Sequence, residues 1–145
     1  MVDGWRDRPG PVFLVEGASD TLALTAAGLS AVGRPSNTGG CEHLTKLLAH
    51  LPSDREIVVV GENDKKESGE WPGREGAERV SATLTQKFGR PVGWVLPPDG
   101  VKDVRAWLTA RVSRTDPADA WAEAGRTLSE AVVASRPPSD RSATA

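Results

Sequence analysis

The chain has 145 residues, a formal net charge of −2 and one cysteine, Cys41. That length allows one domain with a real core, and the near-neutral balance supplies no global basic field for nucleic acid, although a metal site lets an acidic protein receive phosphate. One cysteine excludes an intramolecular disulfide and a cysteine-rich zinc module, and without an apolar stretch of membrane-span length or an apolar signal region, no membrane partner and a cytoplasmic location are expected.

Residues 1–10 are polar and aperiodic and are expected to be a lead-in or linker. Val12-Phe13-Leu14-Val15 is a short apolar run of the kind a buried parallel strand requires, and it ends abruptly on Glu16-Gly17. A helix is expected from about Ser19 to Ala27, with Ser19 as N-cap and Gly28 as its stop. Asp20 in its first turn complements the helix dipole, serves a site, or does both. Leu29–Gly33 reads as a second strand, leading into a loop of turn formers that closes on Gly39-Gly40. Those glycines permit close backbone approach to a phosphate, or make an ordinary turn into the next helix. Leu44, Leu47, Leu48 and Leu51 give that helix one buried face. His43 and His50 on it are expected to face solvent, and Cys41 to be a small packing residue.

A third strand, Glu56–Gly61, delivers Glu62-Asn63-Asp64. The following connection, with Lys65, Lys66 and Trp71, reads as a solvated loop or as a flap that holds a nucleic-acid backbone and stacks a base; Arg74 at the start of the next helix is a further candidate phosphate contact. The helix from about Arg74 to Phe88 buries Ala77, Val80, Leu84 and Phe88 and ends at Gly89. Pro91–Leu96 is the fourth strand. A Pro97-Pro98-Asp99-Gly100 turn then precedes a helical face of Val101, Val104, Trp107 and Leu108. A last helix is expected over 116–135, with Asp116 as N-cap, Pro117 at its first position and a stripe of Trp121, Ala124, Leu128 and Val132. It either docks on the sheet or links to a further domain. Residues 136–145 are expected to be a disordered tail.

Strands alternating with helices predict an α/β fold: a Rossmann-like parallel four-stranded sheet with helices on both faces, plus a C-terminal helix. Two strands carry acids at their carboxyl ends, where open α/β sheets keep their sites. Glu16, Asp20, Glu62 and Asp64 converge if those strands are neighbours. Two like charges about 4 Å apart repel by roughly 4 kcal/mol at an effective dielectric of about 20, so such a cluster calls for raised pKa values or a cation. All-oxygen ligands suit Mg²⁺ or Mn²⁺.

Glu-Gly-x-x-Asp after one strand and acid-x-acid after a later one resembles the Toprim domain of topoisomerases and primases, over about Pro11 to Leu108, within a domain taken as 11–113. The resemblance implies that Glu16, Glu62 and Asp64 are catalytic, Glu16 as a general acid/base or metal-site residue and the other two as metal ligands, with Asp20 as accessory acid. It also points, less directly in spacing, to Asp103 near the metal site, with Asp99 second and Lys102 beside it. The usual aspartate of the acid-x-acid pair is here Glu62, whose longer arm shifts the carboxylate outward. The Asn37-Thr38-Gly39-Gly40 loop is closer to phage and mobile-element primase–helicases than to replicative bacterial primases. The implied activity is metal-dependent nucleotidyl transfer, as the module of a primase acting on a single-stranded DNA template and nucleotides, with a helicase or further domains as partners. A Toprim nuclease and a non-catalytic nucleic-acid-binding module are the alternatives. A topoisomerase is the weakest reading, since the chain has no tyrosine for the covalent link.

Overall fold

A computed structural model describes residues 4–36 and 39–136. Ten elements follow in order: α1 (Gly4–Asp7), β1 (Val12–Glu16), α2 (Gly17–Ala26), β2 (Ser30–Arg34), α3 (Cys41–Leu48), β3 (Ile57–Val60), α4 (Pro72–Phe88), β4 (Gly93–Val95), α5 (Val104–Thr109) and α6 (Ala118–Ala134). All four strands are parallel, in the order β2-β1-β3-β4, and the architecture is Rossmann-like.

The period-two alternation of the central strands divides the core between the two faces of the sheet. Phe13, Val15, Val58 and Val60 point to one side, where Leu24 of α2, Leu108 of α5 and Leu128 of α6 cover them. Val12, Leu14, Ile57 and Val59 point to the other, under Leu44 and Leu48 of α3 and Val80 and Leu84 of α4. Both faces are therefore dry, which explains why β1 and β3 are unbroken apolar runs.

Several boundaries and caps differ from expectation. Helix α2 begins at Gly17, directly on the end of β1, so Ser19 lies within the helix and does not cap it. Asp116 does not cap α6; its Oδ2 accepts from the Ser113 N–H at 2.8 Å, closing a turn, and Pro117 takes the cap position. Helix α6 docks on the sheet face shared with α2, and Gly125 lets it approach so closely that an added Cβ would meet the Ala27 carbonyl oxygen at 2.2 Å.

Residues 4–10 are no loose lead-in. Trp5 is buried against Val12 and Ile57, and the Arg55 guanidinium donates to the carbonyls of Arg6, Arg8 and Gly10. An arginine with five donors suits three carbonyls in fixed positions. Of the expected tail only Arg136 is described, and it is buried and ion-paired with Glu56; 137–145 lie outside the described residues.

Candidate metal centre

From β1 the chain turns back to β2 on one side, and from β3 it goes on to β4 on the other. The two connections diverge, leaving a crevice between the carboxyl ends of β1 and β3, the usual ligand position in open α/β sheets. Leu14 pairs with Val59, so two residues further on Glu16 and Gly61 stand level at its mouth, with Glu62 next.

Three side chains meet there from three elements. Asp20 comes from the first turn of α2 and is buried. Glu62 follows β3. Asp103 is the N-cap of α5, and its Oδ1 accepts from the Ala106 N–H at 2.7 Å. One carboxylate oxygen from each lies within 4.8 Å of the others, an arrangement that can hold a metal ion.

Asn63 explains how Asp103 gets there. Its backbone N–H donates to the Lys102 carbonyl at 2.7 Å, and its side-chain amide donates to the carbonyls of Val101 at 2.8 Å and Pro97 at 3.1 Å. The residue between the two acids thus clamps the loop from β4 to α5, and that clamp carries Asp103 to the crevice.

The charges are incompletely balanced. Burial, then the neighbouring Asp103 and Glu62 carboxylates, push the Asp20 carboxyl up to about 7, against a weaker opposing pull from Arg105. Glu62 is also raised, by burial first and Glu16 second, while Lys102 pulls it down. Arg105 Nε stands 4.0 Å from Asp20 and Lys102 Nζ 3.9 Å from Glu62; both bases are more than half exposed. Ion pairs that long and that exposed contribute at most about 1 kcal/mol. A hard divalent cation on oxygen ligands answers the remaining repulsion, and this donor set fits one.

The four acids anticipated from the strand ends take different places. Asp20 and Glu62 belong to the trio. Glu16 stands beside it, its charge acting on Asp20, Glu62 and the buried Arg34 that faces it in register on β2. Asp64 turns to the start of α4, where its Oδ1 accepts from the Gly73 N–H at 2.8 Å, though its charge still adds to the pressure on Glu62. The approach of α4 depends on glycine twice: a Cβ on Gly61 would meet the Gly73 carbonyl oxygen at 2.6 Å, and one on Gly73 the Glu62 carbonyl oxygen at 2.6 Å.

The candidate phosphate contacts also separate. Lys65 Nζ lies 5.5 Å and the Arg74 guanidinium 5.6 Å from the centre of the Trp71 ring, and Arg74 also pairs with Glu78 at 2.9 Å. Lys66 pairs with Glu70 inside its own turn. Trp71 is not loose: its indole N–H donates to the Glu62 carbonyl at 3.0 Å and ties the 65–71 loop to the site. Gly39 donates its N–H to Ser36 Oγ, and Gly40, in the left-handed region, caps α3. Among these, Lys65 and Trp71 share a cavity of about 380 Å³ with Asn63 and Lys102.

Three contributors went unread in the sequence: Arg34, Asn63 and Arg105. Asn63 had a signal in its position between two acids. Arg34 and Arg105 had none, because their relevance arises from packing. Compared with protein-family models and with curated proteins, the chain matches none. Among the described residues, no helix is long and apolar enough to cross a membrane.

Proposed function

We propose that the chain is a Toprim-type module for Mg²⁺- or Mn²⁺-dependent nucleotidyl transfer on nucleic acid, the catalytic part of a DNA primase or primase–helicase. The observation that carries this reading is the Asp20–Glu62–Asp103 trio, with Glu16 beside it, at the crevice between two adjacent parallel strands. Acids at that point on β1 and β3 are what the sequence resemblance leads one to expect, and the adjacency of those strands supports it.

In this reading Glu62 and Asp103, with Asp20 once ionised, hold the ion, which when bound stabilises negative charge on a phosphoryl oxygen. Glu16, at the rim, is the residue assigned in this reading to take a proton from an attacking hydroxyl. Lys102 and Lys65 attract the phosphate backbone, and Trp71 holds the Lys65 loop to the crevice.

Two measurements test it. Mn²⁺ titrated calorimetrically should bind wild type and Glu62→Asp, with Glu62→Gln weaker by roughly tenfold or more, since the charge matters more than the length of the arm. Wild type should then extend a supplied primer on a single-stranded DNA template with nucleotides and Mn²⁺, and Glu62→Gln should not. Equal Mn²⁺ affinity in wild type and Glu62→Gln would remove Glu62 from the site. Strand cleavage without extension would replace the transferase with a nuclease, and DNA binding without either chemistry would leave a binding module.

A further inference from the structure

On the other side of the α2 N-terminus from Asp20 lies a cavity of about 780 Å³, bounded by Gly17, Ala18 and Thr21 of α2, the end of β2 and the start of α3. That volume falls within the range usual for small-molecule sites, roughly 300–1,000 Å³. Its walls are largely apolar, built from Ala18, Leu22, Pro35 and Leu44, with the His43 ring at hand as a polar group. Leu22 is 69% exposed, and among the described residues it is the one large hydrophobic side chain left so open.

The floor carries the complementary chemistry. Arg34 lines the cavity but is itself 1% exposed, and its guanidinium is fixed by donation to the carbonyls of Val60 at 2.9 Å and Ser36 at 3.2 Å. It is a buried, fixed group at the edge of the pocket. Gly17 lines the cavity and follows Glu16 directly in the chain, so the cavity adjoins the rim of the metal centre. A ligand seated in the cavity therefore lies beside the residue that follows Glu16.

We infer that this cavity is a nucleobase pocket, which seats the base of a nucleoside triphosphate whose phosphates lie at the Asp20–Glu62–Asp103 centre. The inference rests on the nucleotidyl-transfer reading for the placement of the phosphates, but not for the pocket itself. A flat heterocycle matches apolar walls on its faces and an imidazole at its edge. A bare phosphate chain matches neither. The site thus distinguishes a free nucleotide substrate from a DNA strand held by its backbone alone.

Calorimetry on the full chain with Mn²⁺ tests this with three probes: ATP, inorganic tripolyphosphate and adenosine. Ala18→Trp fills the cavity from an exposed helix position, and Leu22→Ser removes its apolar lip; neither touches an acid. Wild type should bind ATP about tenfold or more tighter than tripolyphosphate, a difference of the size base stacking provides. Ala18→Trp should bring ATP down to the tripolyphosphate level and leave tripolyphosphate unchanged, with Leu22→Ser intermediate. Equal binding of ATP and tripolyphosphate by wild type would overturn the pocket and leave the metal centre standing. Adenosine binding that Ala18→Trp abolishes, with no Mn²⁺ or tripolyphosphate binding at all, would uphold the pocket and sink the nucleotidyl-transfer reading. Unaltered ATP affinity in both variants would also overturn the pocket.

Discussion

Asp20 is the residue on which the electrostatics of the crevice concentrate. Its carboxyl, ordinarily near 3.8, is pushed up to about 7 by burial and by the Asp103 and Glu62 charges. A raised carboxyl pKa in the fold means that the native state favours the protonated form. The resulting stability is fully present below the unfolded value of 3.8 and is lost as pH rises through about 7. With a chelator present, wild type should therefore lose on the order of 4 kcal/mol relative to Asp20→Asn as pH rises from about 4 to about 7.5, measured by urea unfolding. Excess Mn²⁺ should restore much of that loss at the upper pH and little at the lower. Parallel stability curves for the two proteins would mean that Asp20 titrates normally.

At the scale of elements, α5 and the loop before it have two duties that substitutions can separate. Asp103 caps α5 through Ala106 and also offers an oxygen to the trio. Asp103→Asn keeps a cap acceptor and removes the charge, so Mn²⁺ affinity should fall while melting temperature holds in metal-free buffer. Asp103→Ala should lose the affinity and in addition about 1 kcal/mol of stability, the usual cost of a lost N-cap. Differential scanning calorimetry beside Mn²⁺ titration reads both. If Asp103→Asn kept wild-type affinity, Asp103 would be only a cap.

Asn63 gives the complementary case, since it bears no charge and touches no ligand position. Asn63→Ala leaves the Val101 and Pro97 carbonyls without their side-chain donor. It should cost about 1–3 kcal/mol and weaken Mn²⁺ binding by loosening the segment that positions Asp103. A stability loss with unchanged Mn²⁺ affinity would show that α5 stays in place without the clamp.

For the whole molecule, the docking of α6 decides how complete one sheet face is. Gly125→Ala sets two effects against each other. Alanine favours a helix interior over glycine by about 1 kcal/mol. Its Cβ, however, would meet the Ala27 carbonyl oxygen at 2.2 Å, a backbone atom that cannot swing aside. Overpacking of that kind costs about 1–3 kcal/mol. The clash should win, so Gly125→Ala should lower the urea midpoint, with greater exchange of α6 amides in hydrogen-exchange experiments. A raised midpoint would show that α6 can shift away from α2 without loss.

The apolar runs at Val12–Val15 and Ile57–Val60 determined by themselves that two parallel strands lie buried, because only a strand covered on both faces needs such residues at every position. Leu44, Leu48, Val80 and Leu84 likewise fixed two helix faces through local periodicity. The acids at the strand ends were legible for the same reason, since a strand's end is a local event in the chain. What each acid does was not. Glu62 and Asp64 lie two residues apart, yet one enters the trio and the other binds the start of α4, a division set by where α4 and α5 pack. Trp5 reads as part of a polar lead-in until Arg55, far along the chain, holds its segment to the sheet. Asp103 reaches the crevice through Asn63, Arg34 faces Glu16 only through the β1–β2 register, and the cavity beside α2 exists only once three elements surround it. Those features depend on contacts between residues distant in sequence, which periodicity along a single chain does not encode; the tertiary structure alone decided them.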